Sequence, residues 1–193
     1  MSVRKQIPDS EGVYFITFTC YNWLPLFESV DAYNEVYKQF DMLKSEGHYI
    51  VGYVIMPNHV HALIAFKRTV KNINRRIGTM KRFLAYELVH RLDKAGKTDI
   101  LQVLKNGVDN TDRQKGKLHE VFEPSFDCKE CYDEKMILQK LNYMHANPYK
   151  GVWQLVESAV EYMHSSARFY IAGEQVIYPL THYMLLGDID LTR

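Results

Sequence analysis

The spacing of hydrophobic positions along this chain changes several times, and each change marks an element. Residues 12–20 alternate weakly and are rich in Val, Tyr, Phe, Ile and Thr, which predicts a strand. Residues 21–27, with Trp23 and Pro25, predict a loop. Val30, Tyr33, Val36, Tyr37, Phe40 and Leu43 then recur at three and four, giving an amphipathic helix over 31–46 that Gly47 stops. Two apolar runs, 48–56 and 59–66, flank Pro57-Asn58 and form a hairpin. A long helix over 70–94 presents Ile73, Ile77, Met80, Phe83, Leu84 and Leu88 on its inner side.

The second half is less regular. Residues 97–117 are polar, with Gly107, Asp109-Asn110 and Gly116, and predict a long, mobile connection, either a nucleic-acid-binding lid or an insertion. Residues 118–126 predict a short strand, confined to a sheet edge by Pro124. A helix over 132–147 has Asp133 and Glu134 at its N-terminus and Ile137, Leu138, Leu141 and Met144 as its stripe. Pro148 ends it, because the residue before proline is pushed out of the α region. Loop over 152–160, a short helix over 162–171 and a tail over 175–193, with an apolar patch around Tyr178-Pro179-Leu180, complete the chain.

The order strand, helix, strand, strand, helix, strand fits an α+β fold, a ferredoxin-like split βαβ sheet. At 193 residues the chain suits one domain over 1–193, with a core over about 12–170 and a C-terminal tail. No apolar run is long enough for a membrane span, and Met1-Ser2-Val3-Arg4-Lys5 does not open a secretory segment, so a cytoplasmic protein is expected.

The formal net charge of +1 says little about partners, but its distribution says more. Lys67, Arg68, Lys71, Arg75, Arg76, Lys81 and Arg82 lie in or just before the long helix, with no acidic residue until Glu87. Solvated helix faces usually mix signs, so a one-signed run favours phosphate contact. The three cysteines form no disulfide framework; Cys128 and Cys131 make a lone CxxC, expected as reduced thiols in a loop.

His59 and His61 open the second hairpin strand. Side chains alternate along a strand, so both imidazoles share a face while Val60 points the other way. Their Cα atoms then lie roughly 6–7 Å apart, which lets two imidazoles meet on one metal ion. A metallo-β-lactamase pattern would need an Asp-His pair next, where Ala62-Leu63 stands, and a histidine triad would need His at 63. Tyr143 and Asn147 are four apart on the later helix and share one of its faces. His145, at i+2 from Tyr143, faces elsewhere and is expected to be structural.

The stretch Tyr53-Val54-Ile55-Met56-Pro57-Asn58-His59-Val60-His61 resembles the HUH motif (His-hydrophobic-His) of single-tyrosine transposases, closest to the REP-associated tyrosine transposase branch. Tyr143-Met144-His145-Ala146-Asn147-Pro148 resembles that family's Tyr-x-x-x-Asn-Pro segment, and Tyr162-Met163-His164-Ser165-Ser166-Ala167-Arg168 its Ser-Ser segment. The resemblance covers roughly 12–170. It implies a ferredoxin-like sheet with the HUH strand central and the tyrosine helix beside it. It implies that His59, His61 and Asn147 hold a metal ion, and a mixed N/O set suits Mg²⁺ or Mn²⁺. It implies Tyr143 as a nucleophile that leaves a 5′-phosphotyrosine and a free 3′-hydroxyl on single-stranded DNA, often with hairpin ends. The protein would act as a monomer in cis or as a homodimer with exchanged helices. Tyr21, Trp23, Tyr149, Trp153 and Tyr162 are candidates for base stacking. Three other readings remain open: an HUH replication initiator or relaxase, a domesticated DNA-binding protein that does not cleave, and an unrelated metal hydrolase. Relaxases carry the tyrosine before the motif, and here it follows.

Overall fold

The computed structural model describes residues 11–69, 72–124, 126–151 and 153–192. Four antiparallel strands form the sheet: β1 (Gly12–Thr19), β2 (Tyr49–Ile55), β3 (His59–Phe66) and β4 (Asp127–Glu130), in the order β2-β3-β1-β4. Helices α1 (Leu26–Ser29), α2 (Tyr33–Ser45), α3 (Ile73–Lys94), α4 (Thr98–Asn106), α5 (Asn110–Gln114), α6 (Glu134–Ala146) and α7 (Ala167–Ala172) complete the described residues' main elements. The arrangement is the ferredoxin-like split βαβ expected from the order of elements, with β3 at the centre.

Period-two alternation sends the strands' side chains to two separate cores. Tyr14, Ile16 and Phe18 of β1 and Val60, Ala62, Ile64 and Phe66 of β3 join Phe40 of α2 and Ile77, Leu84 and Leu88 of α3. Phe15 of β1 and Leu63 and Ala65 of β3 face the other way and pack with Ile137, Leu141 and Met144 of α6. Every residue of β3 is buried, as expected of a strand covered on both faces. α6 sits close to β2 because Gly52 stands beneath it: a Cβ there would come within 2.6 Å of Leu141 Cδ2. The strand pairing of β2 also shifts between Ile50 and Gly52.

Three expectations need correction. Residues 97–117 are not a mobile connection: they form α4 and α5, and Ile100, Leu101 and buried Leu104 pack against the first core. Gly107 lets Tyr21 lie against the backbone there, since a Cβ would meet the ring at 2.6 Å. The described residues of 118–126 make no strand. Phe122 forms one isolated bridge with Cys20, and regular pairing starts only after Pro124, which has no N–H for a ladder. The edge strand is β4 instead, and it carries the first cysteine of the CxxC. Cys128 packs with the first core from within β4 and Cys131, just past the strand's end, with the second, so only Cys131 lies in the loop expected for the pair.

The last segment is packed along the outer side of β2. Tyr178 is buried, its hydroxyl donates to Asp41, and its ring stacks on Tyr37. Thr181 N–H donates to Ile50 O, and Arg68 N–H to Leu191 O. The Ser-Ser segment has a comparable task. Ser166 Oγ accepts from Tyr53 N–H at 2.9 Å and donates to Tyr53 O at 3.1 Å, while His145 Nε2 lies 2.8 Å from it. With its hydroxyl proton on Tyr53 O, Ser166 accepts from His145 Nε2–H, so buried His145 ties α6 to the edge of β2, the structural role expected of it.

Candidate metal and nucleophile site

The histidine pair lies where β3 leaves the Pro57-Asn58 turn, and backbone hydrogen bonds from both sides hold that turn. Cys20 N–H donates to Asn58 O and Phe27 N–H to Pro57 O. His59 and His61 share a face, with ring centroids 4.7 Å apart. Each imidazole is oriented through Nδ1. Asn58, fully buried, donates through Nδ2 to Trp23 O and so turns its Oδ1 to His59 Nδ1, 2.7 Å away. His59 therefore carries its proton on Nδ1. Thr17, directly opposite His61 in the β1–β3 ladder, places Oγ1 2.7 Å from His61 Nδ1. Phe15 stacks on the His61 ring at 5.3 Å.

Helix α6 brings the second pair of residues to this point. Its N-cap, Asp133, accepts from Met136 N–H, and its apolar stripe docks on the sheet. One helical face then presents Tyr143 and Asn147 to the histidines. The Tyr143 ring is 5.3 Å from His61 and 6.0 Å from Phe15, yet 54% exposed. Asn147 Nδ2 donates to Tyr143 O at 2.9 Å, and its amide stands close enough to both histidines to favour their protonated forms against the larger effect of burial. With both Nδ1 atoms engaged elsewhere, Nε2 is the nitrogen each ring would offer to a ligand.

Two imidazoles and the Asn147 amide thus stand together. Burial lowers the pKa of His59 to about 4 and of His61 to about 3, the latter helped by the neighbouring His59. Both are neutral at pH 7, the state in which imidazole binds a metal. Their Nδ1 partners, Asn58 and Thr17, are of the kind that orient imidazoles for ligation in metal sites. Among the described residues no cluster of three His, Cys, Asp or Glu side chains exists, so a site here depends on the amide.

The basic run does not join this site. α3 packs under the opposite face of the sheet, with α2. Arg76 is buried against Glu46 and Thr69, Lys81 Nζ donates to Glu123 O at 2.8 Å, and Arg68 pairs with Glu11. Lys67 is half-buried at the end of β3, Arg75 and Arg82 are exposed, and Lys71 lies outside the described residues. The cation that does face the site is Lys140, one turn before Tyr143, with Nζ 5.0 Å from the Phe15 ring centroid and 5.8 Å from that of Tyr143. Its i−3 spacing from Tyr143 was visible in the sequence, but α6 had no charge pattern to single it out. Thr17 and Asn58 were also missed, because their roles follow from strand register and turn geometry.

Of the aromatic candidates, Tyr21 fills the space over Gly107, Trp153 and Tyr162 pack on the second core, and Tyr149 is half-buried. Trp23 alone is largely exposed, at 63%, and its ring lies 6.1 Å from His59.

No family model matches the chain, and a search of curated proteins finds no relative. Among solved structures, a REP-associated tyrosine transposase bound to a REP hairpin superposes with a TM-score of 0.62 at 17% identity, over 93% of this chain and 89% of that one. A chain from Deinococcus radiodurans R1 aligns at 15% identity over 74% of this chain and 94% of that one, with a TM-score of 0.37. The first likeness extends along nearly the whole chain and bears out the fold: this protein has the fold of a REP-associated tyrosine transposase.

Proposed function

We propose that this protein cleaves and rejoins single-stranded DNA, with Tyr143 as nucleophile and a divalent cation, Mg²⁺ or Mn²⁺, held by His59, His61 and Asn147. One observation carries the reading: α6 sets the Tyr143 ring 5.3 Å from that of His61, and Asn147, one turn later, is tied to the Tyr143 carbonyl on the same side. When bound, the cation would act as a Lewis acid on a phosphodiester, and its wholly neutral ligand set would leave its charge for the phosphate.

The chain's own groups have defined tasks. The Tyr143 phenolic oxygen attacks phosphorus; the Oη–P bond forms and the P–O3′ bond breaks. The phenolic proton ends, in net terms, on the 3′-oxygen. No water is consumed, so the reverse reaction rejoins the strand. Tyr143 is exposed enough to meet a substrate, and the rigid stack of Phe15 on His61 limits how the imidazole can turn. Lys140 places positive charge beside the phenol, where a phosphate would stand. The fold neighbour bound to a REP hairpin supports DNA with hairpin ends as the substrate.

Labelled single-stranded DNA carrying a hairpin, incubated with the protein and Mn²⁺, is expected to yield a covalent adduct on a denaturing gel. Tyr143→Phe is expected to bind the DNA and yield none. An adduct formed by Tyr143→Phe would remove the phenol from its role, and binding without any adduct in the wild type would favour a non-cleaving DNA-binding protein.

A further inference from the structure

We propose that Trp23 is a base-stacking platform, its indole taking the face of one nucleobase of a single DNA strand beside the phosphate at His59 and His61. The inference rests on the reading of that site given above.

The backbone supplies the first observation. Asn22 and Trp23 are consecutive non-glycine residues in the left-handed region, with φ of 50° and 56°. That conformation is costly for a residue with a Cβ, and more so for a bulky one. Such strain persists only where surrounding contacts over-determine it. Here Trp23 N–H donates to Cys20 O, Asn22 N–H to Glu123 Oε1, and Trp23 O accepts from Asn58 Nδ2.

The second observation is where this strain puts the ring. Packing does not explain it, since the indole is 63% exposed while Leu26 and Phe27 just beyond it are fully buried. The ring stands edge-to-face with His59, 6.1 Å away. Asn58 is the common anchor. One end of its amide fixes the carbonyl of Trp23 and the other fixes His59 Nδ1, so the indole and the imidazole are set by a single buried side chain. A flat, exposed ring held edge-to-face beside the two imidazoles matches the planar face of a base. Stacking of this kind tolerates any of the four bases, because each has a π-face.

The test uses Tyr143→Phe protein, so that binding is read without cleavage, with Trp153→Phe added to leave Trp23 as the sole indole. Single-stranded DNA is expected to quench the Trp23 emission. Trp23→Ala should weaken binding roughly 5- to 150-fold, and Trp23→Phe should recover most of the loss. An abasic site walked along the strand should reproduce the loss at one position, and at that position should cost Trp23→Ala nothing more. Unchanged binding by Trp23→Ala, or abasic losses that add in full at every position, would overturn the proposal. If Trp23→Ala does not fold, judged by circular dichroism, the quenching and the abasic walk on Trp23 protein decide alone. Adduct formation by protein with Tyr143 intact is scored separately: an adduct without any Trp23 effect removes the platform and leaves the cleavage reading. A Trp23 effect without an adduct does the reverse.

Discussion

On β3 the side chains of Val60, Ala62, Ile64 and Phe66 enter the core beneath α2 and α3, whereas His59 and His61 face the side covered by α6. Along one backbone, alternate positions therefore meet opposite demands. The α2/α3 side is an apolar cluster in which Phe40, Ile77, Leu84 and Leu88 are fully buried. The α6 side is only partly closed. Its apolar packing, from Leu63, Leu141 and Met144, gives way at the start of β3 to two neutral imidazoles, an amide, a half-exposed phenol and an exposed indole. The closed face fixes the register of β1 against β3, and that register is what puts Thr17 opposite His61. Apolar burial is thus concentrated on one face and the candidate site lies on the other, joined through shared strands.

The sharpest way to break this division is a crossed pair of variants. Tyr143→Phe should reduce adduct formation to background while leaving the denaturation midpoint almost unmoved, since an exposed ring keeps its packing and substitutions of that kind cost within about 0.5 kcal/mol. Phe40→Ala, which empties a site between Tyr37, Tyr53 and Tyr178, should cost about 3–5 kcal/mol. Per folded molecule, its adduct rate should stay near that of the wild type. Urea melts and gel assays on both proteins test the crossing; loss of adduct formation by fully folded Phe40→Ala would show that the faces are not separable.

Gly52 probes the join between them. Its missing Cβ lets Leu141 approach β2, with Met144 and Ser166 close by. Gly52→Ala should cost about 1–3 kcal/mol through overpacking. It should also slow cleavage, because α6 carries Tyr143 and Asn147 and must shift to make room. Full activity in a destabilised Gly52→Ala protein would mean that Leu141 yields and the helix does not.

How far the sequence reveals these two faces depends on the range of the interaction involved. Period two placed His59 and His61 together, and i, i+4 placed Tyr143 with Asn147, because both rules act within one element. Strands β1 to β3 and helices α2, α3 and α6 were visible as strong periodic runs. α4 was hidden because its apolar stretch, Ile100 to Leu104 with Gln102 inside it, is short and sits in an otherwise polar segment, so composition masked it. β4 was hidden because Asp127, Lys129 and Glu130 are polar and exposed, and only pairing with β1 makes them a strand. The side of the sheet on which α3 packs is a tertiary fact, and a one-signed helix gives no sign of it.

The closed face has a pH limit of its own. His48 is buried against Phe66, and its Nδ1 accepts from Lys67 N–H, which requires the neutral ring. Burial lowers its pKa to about 4 from 6.5. The unfolded chain therefore binds the proton first as pH falls. The stabilisation is whole above about pH 6.5 and is lost as pH drops towards 4, on the order of 2 kcal/mol for this one group. Glu46 Oε2, 3.9 Å from His48 Nε2, softens the loss but does not reverse it. His48→Gln should flatten the fall in urea midpoint between pH 6.5 and 4; an unchanged profile would assign the acid sensitivity to the imidazoles of the α6 face.

The smallest expected effect concerns where DNA runs. If the substrate lies on the α6 face, Lys140 neutralises a phosphate and the exposed arginines of α3 do not. Arg76 and Lys81 are unsuitable for this test because they hold Glu46, Thr69 and the Glu123 carbonyl, and removing them would disturb the fold. Arg75 and Arg82 are exposed, and Arg82 lies over the ring of its neighbour Phe83. In the Tyr143→Phe background, Lys140→Ala should lower the slope of log affinity against log salt by roughly 0.7, the counterion equivalent of one phosphate on a single strand. Arg75→Ala with Arg82→Ala should leave the slope in place and change affinity only through long-range attraction, which salt near 0.15 M screens beyond about 8 Å. The opposite result, a slope that falls with the arginines and not with Lys140, would carry the strand across α3 and place binding on the closed face while Tyr143 waits on the other.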